Sequence, residues 1–183
     1  YPGRVPAEKM YDKVMNVYKW GNMNDPKVNI DYQNLLTFTA VTCVRNIFTQ
    51  TARALILEGK ADKAIAVLDK MQAVMIPSQF PLNASLLGSL NEHSVLEAID
   101  IYILAGAREK GLSLADAFTK DSFTSIDLFA QKYNGFYLSK SDIERSLSYL
   151  VMLADVLKNR GEKDKAADIE KQINDTIKTI QAI

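Results

Sequence analysis

Apolar residues recur along this chain at the three-and-four spacing of an α-helix, and the runs that carry them are separated by breakers. After Pro6, Tyr11, Val14, Met15 and Tyr18 predict a helix over about 7–19. Trp20 to Pro26 reads as a loop, and Asp31 as the N-cap of a long helix reaching Leu57. Leu35, Phe38, Val41, Val44 or Arg45, Phe48, Ala52 and Leu55 form its apolar seam. A partner helix follows from about Ala61 to Met75. Pro77 to Asn91 is a connector, with room for a short helix over Ala84–Leu90. A helix over Glu92–Lys110, closed by Gly111, precedes one capped by Ser113 and Asp116, which breaks near Asp121-Ser122 and resumes as far as Asn134-Gly135. Ser141 and Glu144 form a capping box for a helix to Asn159, and the last helix spans about Lys163–Ile180. The pattern contains no credible strand. It predicts an all-α fold of about seven or eight helices.

Two stretches repeat each other. Around Gly59, a residue suited to the left-handed conformation that ends a helix, stand Ala52, Leu55, Asp62, Lys63 and Ala64. Ala154, Leu157, Asp164, Lys165 and Ala166 stand at the same spacings around Gly161, 102 positions further on. Small residues at 52 and 64 allow close approach of the two helices. Large, small, large, Gly, Ala, large, Pro is the order of a tetratricopeptide hairpin, whose period is about 34 residues. The proline, Pro77, arrives one position late. Three such periods fit the offset, yet the register asks for glycine at 93 and 127, where the chain has His93 and Asp127. The expectation is therefore a single domain over 1–183, a tetratricopeptide-like α-solenoid with two clear hairpins and an irregular middle.

Composition narrows the function classes. Hydrophobic residues make up 48% of the chain and charged ones 24%, enough for a packed core. Lys+Arg and Asp+Glu are both 22, so the basic footprint that nucleic acid requires is missing. No stretch of about 18 apolar residues occurs, so no membrane span is expected within this segment. The chain opens on Tyr1 and is read as a piece of a larger protein. Cys43, the one cysteine, lies in an apolar helical run and reads as a small buried hydrophobe rather than a nucleophile.

Chemistry is sparse. A Ser-His-Asp site would have to use His93, the one histidine, which sits at an expected helix start. One His and one Cys do not make a common zinc site, and no EF-hand spacing, P-loop, G-x-S-x-G or G-x-G-x-x-G occurs. No catalytic residue, cofactor or metal is expected. Binding is the better prospect. Arg45, Thr49 and Arg53 recur four apart, and Asn46 lies beside them. Two arginines on one stripe could hold a carboxylate or phosphate, unless each pairs with a local acid. Trp20, with Tyr18 and Tyr11, could form an aromatic sugar platform or a plug over the first hairpin.

Lys19-Trp20-Gly21-Asn22-Met23, Asp31, Arg45, Glu58-Gly59-Lys60, Ala64 and Leu68-Asp69-Lys70 carry a family resemblance. They resemble the C-terminal soluble region of a bacterial family of multi-spanning membrane proteins. In that family a Lys-Trp-Gly-Asn-Met run precedes a Leu-Asp-Glu-Asn segment, an Arg-bearing helix and an EGK-x-x-A-x-x-x-LDK hairpin. Tyr32-Gln33-Asn34 departs from it. The N-terminal part of such proteins is similar to membrane glycosyltransferases of the protein O-mannosyltransferase type. The resemblance implies a tetratricopeptide-like tail, tethered to a membrane protein and facing the periplasm. The leading expectation is a non-catalytic interaction or scaffold domain whose partner is a protein or its own membrane domain. A carbohydrate-binding helical module, with a glycan as ligand, and an enzyme with an unrecognised site are the alternatives.

Overall fold

The computed structural model describes residues 6–28, 40–83, 90–132 and 137–181, and the described residues are helical without strands. Helix α1 (Ala7–Asp12) runs into a π-helical turn over Lys13–Val17. Then come α2 (Ala40–Leu57), α3 (Ala61–Val74), α4 (Leu90–Leu104), α5 (Arg108–Lys132), α6 (Tyr137–Asn159) and α7 (Lys163–Gln181). α2 packs on α3, α4 on α5 and α6 on α7, which gives three hairpins. α2 also lies against α4, and α5 against α6, so the hairpins share one core.

The three hairpins turn in the same way. Gly59, Gly106 and Gly161 have φ of 72°, 88° and 85°, a region that a side chain makes costly. The amide after each glycine donates back to a carbonyl five residues earlier: Lys60 to Leu55, Ala107 to Tyr102 and Glu162 to Leu157, all at 2.9 Å. The glycine amides themselves donate to Ile56, Ile103 and Lys158, which completes three Schellman caps.

Positions counted from these glycines correspond. Phe48, Val95 and Leu150 are buried, as are Leu55, Tyr102 and Leu157. On the second helices Val67, Leu114 and Ile169 match, followed by Met71, Phe118 and Ile173, all in the core. The closest crossing uses two solutions. Outer hairpins pair small residues, Ala52 with Ala64 and Ala154 with Ala166, all at 0–1% exposure. The middle hairpin sets the larger Ile99 at the first position and Gly111 at the second. A Cβ on Gly111 would come within 2.6 Å of Ile103 Cγ1 and 3.2 Å of the Ile99 carbonyl oxygen, so glycine there lets the α5 backbone lie close against α4. Junctions between hairpins correspond too. Asp69 of α3 pairs with Lys110 of α5 at 2.7 Å, and Asp116 of α5 pairs with Lys165 of α7.

Several boundaries differ from the sequence expectation. The middle turn falls at Gly106, 47 residues after Gly59 and 55 before Gly161, rather than at Gly111, where the sequence pattern closed the helix. α4 therefore ends at Leu104, while Gly111, Ser113 and Asp116 lie inside α5. No break occurs at Asp121-Ser122, because both side chains serve tertiary contacts. α6 starts at Tyr137, so Ser141 and Glu144 are interior positions and not a cap. Helix 7–19 is shorter and part π-helical, and Met75 follows rather than ends α3. The Asp31 cap, the 84–89 part of the short connector helix and Asn134-Gly135 lie outside the described residues. Cys43 is exposed, not buried: it is five residues before Phe48, off the seam that faces α3 and α4.

Trp20 closes the N-terminal end of the core. Its ring is tilted 32° on Phe48 with centroids 4.7 Å apart, and Tyr18 meets it edge-on at 5.7 Å. Its Nε1 donates to the Val14 carbonyl at 3.4 Å, which ties the loop to the end of the first helix.

Candidate functional site

Two of the four candidate positions on α2 turn inward. Arg45 is 1% exposed and Thr49 fully buried. Arg45 Nη1 donates to the Pro81 carbonyl at 2.9 Å and to Asn91 Oδ1, and Nη2 donates to the Phe80 carbonyl at 2.6 Å. Burial holds its pKa down at about 10, against the pull of the Glu92 and Asp121 charges, so it stays a cation at neutral pH. Thr49 Oγ1 donates within the helix to the Asn46 carbonyl at 3.2 Å. The same connector is gripped from the other side. Asp121 Oδ2 accepts from the amides of Leu82 at 2.8 Å and Asn83 at 2.9 Å, and Asn83 Nδ2 donates to Ser122 and Ser146 hydroxyls. Four helices thus hold Phe80–Asn83, a stretch of chain with no helix of its own, by its backbone groups and the Asn83 amide nitrogen, while Asn83 Oδ1 stays without a partner.

Arg53 and Asn46 face the other way, so the four candidates form no common stripe. Arg53 Nε donates to Glu97 Oε1 at 2.9 Å, and its Nη2 lies 3.5 Å from Asp100 Oδ2. Arg160 reaches the same Asp100 through Nε at 2.6 Å and Nη2 at 3.0 Å. Ion pairing with α4 thus takes up the Arg53 guanidinium. Trp20 is half-buried against Phe48 and Tyr18, the plug arrangement; one of its faces is covered.

The open surface around Arg53 has an order that only the turns make visible. Counted back from the three glycines, Asn46, His93 and Ser148 form one row across α2, α4 and α6. Gln50, Glu97 and Met152 form the next, then Arg53, Asp100 and Asp155, then Leu57, Leu104 and Asn159. All twelve keep solvent access. A groove of about 380 Å³ opens among Arg53, His93, Glu97, Asp100, Met152 and Asp155. Leu57 is 81% exposed and Leu104 45%, an apolar pair at the turn end of neighbouring helices. His93 stands in this groove on α4, its ring edge-on to Tyr149 at 5.5 Å.

Glu97 and Asp100 escaped sequence reasoning because the middle turn was misplaced, and Met152 and Asp155 because no row joins them to α2 without α4 between. Once Gly106 is the reference, the rows can be read directly from the sequence. In comparisons with known proteins, no family model, curated protein or solved structure matches the chain. Among the described residues, no helix is long and apolar enough to cross a membrane.

Proposed function

We propose that the three hairpins are tetratricopeptide-like units of an α-solenoid, and that the chain is a non-catalytic protein-interaction or scaffold domain. In this reading it belongs to a membrane-bound glycosyltransferase-like protein, faces the periplasm, and engages a protein partner or its own membrane domain. The observation that carries the proposal is the four-row surface of α2, α4 and α6, a continuous, solvent-accessible face with a groove and an exposed leucine pair. Solenoids present extended surfaces of this kind to partners. The paired charges Arg53–Glu97 and Arg160–Asp100 supply fixed polar contacts around the groove. The family resemblance supplies the membrane and glycosyltransferase parts of the proposal.

The test uses the full-length protein. Leu57→Asp and Leu104→Asp alter exposed positions, so the fold should survive both. The doubly substituted protein should lose its co-purifying partner, or its docking to the membrane domain. A partner set and activity unchanged by the substitutions, and by deletion of the whole domain, would refute the proposal.

A further inference from the structure

The two junctions between successive hairpins share an ion pair and differ in the core residue beside it. Asp69–Lys110 closes the first and Asp116–Lys165 the second. At the position four before the turn glycine, the first junction has Tyr102 and the second Leu157. The Tyr102 hydroxyl donates to Asp69 Oδ1 at 3.0 Å, while Lys110 Nζ holds Oδ2 at 2.7 Å. Both oxygens of Asp69 are therefore fixed in direction, and each keeps a second lone pair. A cavity of about 420 Å³ opens here between α3 and α5, within the usual range for small-molecule sites.

Its lining separates into two kinds. Leu82 and Leu114 make a buried apolar floor, exposed Pro77 and Ala117 stand at the mouth, and Asp69, Gln72, Glu109, Lys110 and Ser113 make a polar rim. The rim charges are already matched: Lys110 with Asp69, and Glu109 with Arg108 at 2.8 Å. With each rim charge matched by an opposite one, the cavity carries no net charge that would select an ionic ligand. Gln72 and Ser113 add an amide and a hydroxyl, so the rim holds both donors and acceptors. A hydroxyl group both donates and accepts, and a ring that carries several of them keeps a C–H face for the apolar side.

We propose that this cavity, at the first hairpin junction, is a binding site for a neutral saccharide of one or two rings. Tyr102 and Asp69 orient the ring, Gln72 and Ser113 read its hydroxyls, and Leu82 and Leu114 carry its apolar face. The proposal stands apart from the docking face, which lies on the first helices.

Titration of the isotope-labelled chain with methyl glucoside, methyl galactoside, methyl mannoside, maltose and glucuronate, followed by amide NMR shifts, tests it. At least one neutral sugar should give saturable shifts at Gln72, Ser113 and Leu114, with millimolar Kd. Ala117 is exposed, so Ala117→Trp fills the cavity from its mouth and should weaken binding at least about tenfold. Gln172→Trp, the matching position at the second junction, should leave it intact. Tyr102→Phe, which loses only the hydroxyl, should weaken binding several-fold and serves if the tryptophan variant fails to fold. Absence of saturable shifts with every neutral sugar would overturn the proposal. So would equal binding of glucuronate, or binding indifferent to Tyr102→Phe and Ala117→Trp.

Discussion

Arg45→Met removes the one buried cation among the described residues. The guanidinium donates to three acceptors, the Phe80 and Pro81 carbonyls and Asn91 Oδ1, at 1% exposure. Methionine fills much of the volume and supplies no donor. Breaking a buried charged contact by removing one partner costs about 3–5 kcal/mol, because the groups left behind stay buried without donors. For a chain of this size about 1 kcal/mol corresponds to roughly 2–4 °C in Tm, so a fall of roughly 6–20 °C is expected. Arg45→Lys keeps the charge but not the planar fork that spans two carbonyls and an amide, so it should lie between methionine and the native protein. Urea unfolding followed by circular dichroism measures both variants. Amide exchange should also accelerate at Leu82 and Asn83, whose N–H groups depend on the connector staying against Asp121. A loss below about 1 kcal/mol for Arg45→Met, the level of an exposed ion pair, would refute the reasoning.

Gly111→Ala should destabilise, although alanine gains about 1 kcal/mol over glycine in a helix, since the Cβ meets Ile103 and the Ile99 carbonyl and overpacking costs about 1–3 kcal/mol. A Tm increase would show that the crossing has slack. Ala64→Leu should lower Tm by a similar overpacking cost, whereas Lys63→Leu, which touches only the exposed Glu8 carboxylate and the Tyr11 ring, should stay within about 1 kcal/mol of native. Equal effects at 63 and 64 would mean that the hairpin register is wrong. Trp20→Ala should cost about 2–3 kcal/mol, below a full core truncation because the ring is half-buried; native Trp20 fluorescence should resist acrylamide in part, and full quenching would contradict its stacking on Phe48. Burial and the Asp69 charge push the Tyr102 phenol well above its ordinary value of 10.0. The unfolded chain therefore ionises first, and this part of the stability is complete below pH 10 and falls as pH rises above it. Tyr102→Phe should flatten the stability loss above pH 10, and parallel curves for the two proteins would contradict it.

Much of the fold could be read from residue spacing, and the failures share one cause. Helix faces were legible because Phe48, Ala52 and Leu55, or Ala166, Ile169 and Ile173, keep the 3.6 period over several turns. Gly59 and Gly161 were legible because Asp, Lys and Ala follow each at fixed distance. Gly106 was hidden by Gly111, only five residues later, which serves close packing rather than a turn. Both glycines look alike in sequence, and φ separates them. Asp121-Ser122 imitated a break because polar residues within a helix signal solvent or a cap, while here they hold a connector from another part of the chain. Arg45 resembled a ligand-binding cation for the same reason. Its acceptors are backbone carbonyls 35 and 36 residues away, and no local pattern marks a carbonyl as an acceptor for arginine. Arg53, eight residues on, faces solvent because 800° of helical rotation does not return to the Arg45 direction.

The central claim is that the rows across α2, α4 and α6 form the surface through which this domain meets its partner. Photo-activatable side chains placed singly at Gln50, Glu97 and Met152, one row on three helices, test it in the full-length protein. Solvent-accessible positions on the second helices, Lys70, Ala117 and Gln172, are the matched controls. Cross-links to the same polypeptide segment are expected from all three row positions and none from the controls. Cross-links from the controls alone, or from neither set, would contradict it.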